Sequence, residues 1–245
     1  MCSQKLNKYD ICALSDLHGL HPVIDREFDL MLLAGDLVNL YCQRDLSDTV
    51  YWFTGSFVNW INALPFKDEN SKVLWIAGNH ECGWENLALE GRRKIAENVT
   101  NATNGRCIYL EDELYDFRGI KVYGTPWCKI FGHWAFMKND DALRETYSQI
   151  PENVDILLTH DAPYGTSDLC FGWDAWGKTP YHIGNEPLRD AILEKTPKYN
   201  LHGHLHSANH EEEFLGTTSV YNVSLVDEQY KQVYLPLQLE IIKNV

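Results

Sequence analysis

The chain has 245 residues, enough for one domain with a sizeable core, and carries 35 acidic against 21 basic side chains for a formal net charge of −14. That balance disfavours long nucleic acid as the main partner, and none is expected, because phosphate backbones are held by clustered Lys and Arg that displace counterions. It does not exclude a small anionic substrate at a site carrying cations, since a bound metal outweighs the global field locally. Without a Pro/Gly/Ser tract, a charge block or a repeat to divide it, the chain reads as one domain over 1–245. Met1-Cys2-Ser3-Gln4-Lys5 lacks the apolar core of a secretion signal, and the apolar runs are too short to span a bilayer. Seven cysteines with no CxxC spacing fit reduced thiols better than a disulfide framework, so no membrane partner and a cytoplasmic location are expected.

In chain order, Tyr9 to Ser15 and Phe28 to Ala34 are short, nearly continuous apolar runs, the pattern of strands buried on both faces. Leu46 to Leu64 follows as a helix stopped by Pro65, then a strand over Lys72 to Ala77 and a helix over Trp84 to Glu97 that tolerates Gly91. Further strands are expected at Cys107 to Leu110, Leu114 to Arg118, Ile120 to Gly124, Val154 to Thr159, Tyr199 to Leu201, Asn209 to Leu215, Ser219 to Asn222 and Leu235 to Ile242. Hairpin breaks are read at Glu111-Asp112 and Arg118-Gly119. Periodicity alone therefore gives an α/β fold.

Five of these runs end in side chains that bind metals: Asp16-Leu17-His18, Gly35-Asp36, Gly78-Asn79-His80, Thr159-His160 and Gly203-His204-Leu205-His206. If the strands are neighbours, Asp16, Asp36, Asn79 and His160 share one sheet edge, which is where α/β folds keep their ligands. In-line attack on phosphorus needs an activated water and neutralised phosphoryl oxygens, and two adjacent cations supply both. Mixed imidazole, carboxylate and amide donors suit two divalent transition-metal ions, Mn, Fe or Zn, over Mg or Ca.

The order of the five blocks, running from Asp16 to His206, resembles the calcineurin-like metallophosphoesterase superfamily, whose blocks read D-x-H, G-D, G-N-H-[ED], a lone His and G-H-x-H. The resemblance implies two facing mixed β-sheets flanked by helices, a four-layer α/β/β/α sandwich. It implies that Asp16, His18, Asp36 and His206 hold the first ion and Asp36, Asn79, His160 and His204 the second, with Asp36 bridging. His80 matches the histidine that binds no metal, contacts the scissile phosphate and assists the leaving oxygen. His202 lies before the motif and is read as supporting or structural; His21, His133, His182 and His210 have no spacing argument for ligation. Cys82 is expected to be packing rather than a nucleophile.

Gly35-Asp36-Leu37-Val38-Asn39-Leu40 departs from the G-D-x-V-D-R-G of protein Ser/Thr phosphatases, losing the acidic and arginine positions. Tyr123-Gly124-Thr125-Pro126-Trp127 and Gly132-His133-Trp134-Ala135-Phe136 resemble instead the small metallophosphoesterase-domain proteins that hydrolyse cyclic nucleotides and other phosphodiesters. The reading is thus a phosphodiesterase acting on a small phosphoester. A phosphomonoesterase, protein Ser/Thr phosphatases included, and a metal-bearing scaffold without turnover are the alternatives, the latter disfavoured by the intact His80. Of eight tryptophans, Trp127 and Trp134 are candidates for a base-stacking wall, with Trp173 and Trp176 in similar loop-like stretches; packing is the competing role.

Overall fold

The computed structural model describes residues 6–171 and 180–244, so Trp173 and Trp176 lie outside the described residues. In the first half, β1 (Leu6–Leu14), β2 (Leu30–Leu33), β3 (Lys72–Trp75) and β4 (Cys107–Tyr109) alternate with α1 (Leu46–Trp52), a π-helical turn (Phe53–Phe57), α2 (Val58–Asn62), α3 (Cys82–Glu85) and α4 (Leu89–Ala102). The second half contributes β5 (Glu113–Phe117), β6 (Ile120–Thr125), β7 (Cys128–Lys129), β8 (Met137–Lys138), α5 (Asp140–Ser148), β9 (Ile156–Thr159), β10 (Leu169–Phe171) and β11 (Pro180–His182). It continues with α6 (Glu186–Lys195), β12 (Tyr199–His202), β13 (Glu213–Leu215), β14 (Thr218–Asn222) and β15 (Leu237–Asn244).

These strands form a five-stranded sheet, order β15-β1-β2-β3-β4, and a six-stranded sheet, order β13-β14-β12-β9-β6-β5. Both are mixed: β1 to β4 run parallel with β15 antiparallel at the edge, and β6, β9, β12 and β14 run parallel between antiparallel β5 and β13. Strand alternation sorts the side chains into layers. Ile11, Ala13, Leu32, Leu74 and Ile76 face Ile120, Val122, Ile156, Leu158 and Leu201 across the inter-sheet core. Cys12, Leu14, Met31, Leu33 and Trp75 face the other way, onto Trp52, Phe53, Phe57, Trp60 and Trp84 of the helices. Tyr123 and Leu157 meet Leu143, Tyr147, Leu188 and Ile192 of α5 and α6. The result is helices, sheet, sheet, helices, with the central strands β2, β3 and β9 apolar on both faces because both faces are covered.

Some expectations need correction. Leu46 to Leu64 is helical but not uniformly α: at Gly55 the helix widens into a π-turn that keeps both Phe53 and Phe57 on the sheet side. The helix expected over Trp84 to Glu97 is two, because Ala88 is extended and Arg92 takes the Glu85 and Leu87 carbonyls. Arg118-Gly119 is a hairpin, both residues at positive φ. Glu111-Asp112 is not; there the chain crosses from one sheet to the other, and Glu111 is buried beneath Arg92 and the Tyr109 hydroxyl. Only Glu213–Leu215 of the run from Asn209 is strand. No helix among the described residues is long and apolar enough to cross a membrane.

Candidate metal centre

The site forms where the two sheets present the C-terminal ends of parallel strands together. Asp16, Asp36 and Asn79 follow β1, β2 and β3 of the five-stranded sheet, whereas His160 and the 203–206 turn follow β9 and β12 of the other. The shared edge expected from the strand pattern is therefore two edges, one per sheet. Asp16, His18, Asp36 and His204 all adopt positive φ, between 44° and 71°, a region sparsely used by non-glycine residues and costing about 1–3 kcal/mol each. Paired loops hold that strain: Asp16 N donates to Gly35 O at 3.0 Å and His18 N to Asp36 O at 2.9 Å. Glycine is required where these turns close. A Cβ at Gly78 would lie 2.3 Å from Asp36 Oδ1, and one at Gly203 2.3 Å from Asp16 Oδ2.

Donor atoms of Asp16, His18 and His206 lie within 4.8 Å of one another, as do those of Asp16, Asp36 and His160 and those of His18, Asp36 and His80. His206 Nε2 is 3.1 Å from Asp16 Oδ1 and 3.4 Å from His18 Nε2. On the other side, His160 Nε2 is 2.9 Å from Asn79 Oδ1 and 3.3 Å from Asp36 Oδ1, and the His204 ring packs 5.2 Å from that of His160. The structure thus brings together all seven candidate ligands, with Asp36 facing both groups.

The surroundings orient these donors. His160 Nδ1 bonds the Ala34 carbonyl at 2.7 Å and His206 Nδ1 the Asp227 carbonyl at 3.2 Å, which places the ring proton there and leaves Nε2 of each ring to coordinate. Asp16 accepts from the Ser224 hydroxyl and the His204 amide. Glu81, which the sequence offered only as the end of the G-N-H-[ED] block, is buried and accepts four backbone N–H groups, from Asp36, Leu37, Val38 and Gly78. Burial and the nearby Asp36 push its carboxyl up to about 8, against the pull of those donors.

His80 donates its backbone N–H to Asp36 Oδ1 at 2.7 Å; its Nδ1 meets Gln43 Oε1, and its Nε2 lies 3.8 Å from Asp36 Oδ2. Trp134 packs on His80, ring centroids 4.4 Å apart, with Arg44 against the same indole. Trp127 is elsewhere: its Nε1 donates to Asp112 Oδ2, Lys138 sits over its ring, and it packs on Phe136. Phe131, one of the rings the 126–136 loop offers, lies 4.9 Å from His204, and Tyr230, which the sequence did not single out, 4.7 Å from His18. His202 is buried with Nδ1 on the Gly203 carbonyl, and His210 bonds the His206 carbonyl. Cys82 is half-buried with its sulfur on the Asn79 carbonyl.

Burial works against charge at every one of these groups. It is outweighed at Asp16 by the hydrogen bond from His206, and at Asp36 by His160 and His80, so both carboxyls sit below the usual range. At His160 and His206 burial loses to Asp36 and Asp16, which push the imidazoles up to about 10 and about 9. At His18 and His204 burial prevails and takes them down to about 4 and about 3. Without metal, His160 and His206 hold protons in the fold that the unfolded chain releases above about 6.5. Their stabilising contribution is therefore full below that pH and lost as pH rises through their folded values. A cation must displace the same protons, so binding strengthens over the same window. Chelated protein should melt lower at about pH 9 than at about pH 7, with the gap to metal-loaded protein widening. Equal melting of chelated samples at both pH values would contradict the charged imidazole pairs.

The donor set fits divalent transition metals: converging imidazole nitrogens, two buried carboxylates below the usual range and one amide oxygen. Facing mixed sheets with such donors at their joined ends define a metal-dependent phosphoester hydrolase. The calcineurin-like phosphoesterase profile matches residues 9–208, and the chain belongs to that family. It is 29% identical over 246 residues to a UPF0046 protein of Caenorhabditis elegans, spanning 96% of this chain and 82% of that one. Against human metallophosphoesterase domain-containing protein 1 the identity is 28% over 251 residues, spanning 94% and 70%. One solved structure superposes with a TM-score of 0.63 at 14% identity, over 88% of this chain and 90% of that one. Another, of a Thermus thermophilus protein, gives 0.52 at 17%, over 88% and 89%. Those two likenesses are of fold.

Proposed function

We propose that the chain is a two-metal phosphodiesterase acting on small esters, cyclic nucleotides among them, in the cytoplasm. The observation that carries the reading is the gathering of two donor sets on either side of Asp36, with His80 alongside. Asp16, His18 and His206 would hold one cation, Asn79, His160 and His204 the other, and Asp36 both. Bound there, the ions would activate water and neutralise phosphoryl charge. His80 then has one task, to hold or deliver a proton at Nε2 toward the leaving oxygen, while Gln43 fixes the ring through Nδ1.

A diester carries one negative charge on phosphorus and two substituents, so it gains from an apolar surface more than from added cations. Phe131, Trp134 and Tyr230 supply rings beside the site, and among the described residues no Lys or Arg pairs with Asp16 or Asp36. The described cysteines are all free thiols, which suits a reducing compartment.

The test is metal content together with kcat/KM on a cyclic nucleotide, an aryl diester and the matching monoester. About two transition-metal ions per chain and a diester preference are expected; a monoester preference would overturn the diesterase reading, and no metal under any reconstitution would end the two-metal one. Trp134→Ala should lower kcat/KM on every ester because the ring supports His80, with about 1–3 kcal/mol more lost on a nucleotide if a base stacks there. Trp127→Ala, whose ring lies against Asp112, Lys138 and Phe136 rather than the ligands, should leave kcat/KM nearly unchanged.

A further inference from the structure

One buried nucleophile beside this centre has no part in the chemistry above. Cys128 lies on β7, fully buried, at the start of the stretch that carries Phe131 and ends in β8, which pairs parallel to β7. Its Sγ, one nitrogen of His160 and one of His204 lie within 4.8 Å of one another, the same limit met by Asp16, His18 and His206. Among the described cysteines it is the one that joins such a group. The sulfur makes only a long contact to the Pro126 carbonyl, 3.8 Å, so no strong hydrogen bond competes for it.

The fold fixes Cys128 there. Its amide donates to Phe136 O, and the Lys129 amide donates to Asp161, the residue after His160. The β7 backbone is therefore tied to the same turn that carries the histidine, and the sulfur cannot drift from the pair.

We propose that Cys128 is a sulfur ligand of the second metal position, alongside His160 and His204; this rests on the two-metal reading above. As the cation binds, the S–H bond breaks, the proton leaves to solvent and the sulfur lone pair forms the metal–sulfur bond, with no change of oxidation state. Bonds of about 2.3 Å to sulfur and about 2.0 Å to nitrogen set adjacent donors about 3.0–3.5 Å apart, so a group already within 4.8 Å contracts by no more than about 2 Å on closing. The two positions then differ in kind. The first, with Asp and His donors, accepts Mn; the second, with a thiolate, prefers Zn, Fe(II) or Co.

The experiment reads cobalt. Chelated wild type, Cys128→Ser and, as a control, Cys82→Ser are titrated with Co(II), following bound cobalt and the near-ultraviolet thiolate-to-cobalt absorption. Wild type and Cys82→Ser should develop the band as the sulfur-bearing position fills, which its preference for cobalt places at the first equivalent. Cys128→Ser should bind cobalt without it and lose Zn-over-Mn preference at the second position by at least about tenfold, the lower end of the cost of losing even an outer-shell partner. X-ray absorption at the zinc edge of wild type loaded at both positions should show sulfur at about 2.3 Å at about one per two zincs, a result independent of how the variant folds. Near-stoichiometric cobalt with no sulfur band, or a band that survives in Cys128→Ser, overturns the proposal and leaves the two-metal reading standing; a wild type that takes up no cobalt, zinc or manganese overturns both.

Discussion

His80→Ala and His80→Asn should keep both metal positions able to fill while turnover falls by about 10²-fold or more, the scale of removing a positioned proton donor. The side chain is held from two directions, by Gln43 at Nδ1 and by the Trp134 ring, so Nε2 has one orientation left, toward Asp36. The partner is a neutral amide rather than a carboxylate. Gln43 thus accepts from Nδ1–H, so Nε2 carries a proton only in the imidazolium, a form that burial disfavours and that therefore gives its Nε2 proton up readily. The measurement is single-turnover kcat beside metal content. Unchanged turnover would remove His80 from the chemistry. Lost metal would make it a ligand, an outcome the geometry permits because its donor atom lies within reach of His18 and Asp36.

Glu81→Ala should destabilise the fold by about 4 kcal/mol or more, among the largest single effects available here. Four backbone N–H groups, at 2.6 to 3.0 Å, would lose their acceptor in a site closed to water. Each buried donor left unpaired costs about 1–3 kcal/mol. Three of the four belong to the turn after β2, so the loss falls on the loop that aims Asp36. Glu81→Gln keeps one accepting oxygen and should fall between wild type and Ala. Urea unfolding of chelated protein checks this without metal linkage; a change below about 1 kcal/mol for Ala would show that the turns hold themselves.

The strands that end in candidate ligands were legible because burial on both faces leaves an unmistakable apolar run, and because a residue directly after such a run must sit at a sheet end. Which sheet was not legible. Val154 to Thr159 and Lys72 to Ala77 look alike in sequence, and their assignment to different sheets is decided by pairing partners far along the chain. Glu111-Asp112 misled for the same reason: a polar pair between two strands reads as a turn, whether the second strand folds back or leaves for another sheet. Helices α5 and α6 were missed although each carries a start signal, an Asn139 cap on the Ala142 amide and an Asn185 cap followed by Pro187. Both are short, so their apolar faces repeat too few times to stand out. The G-N-H-[ED] block marks the position of Glu81 but not its backbone contacts, and nothing in the spacing marks Gln43.

Asp16 touches His204 and His206 across 188 and 190 positions of chain, and β1 is completed by β15 from the far end. The early stretch of the polypeptide brings Asp16, His18, Asp36 and Asn79, but neither donor set is complete before the turn after β12 has emerged and the second sheet has closed on the first. Contacts so distant in sequence make folding slow relative to local helices, and a fragment cut anywhere between the two carboxylates and the last histidine pair inherits half a coordination sphere and none of the catalysis.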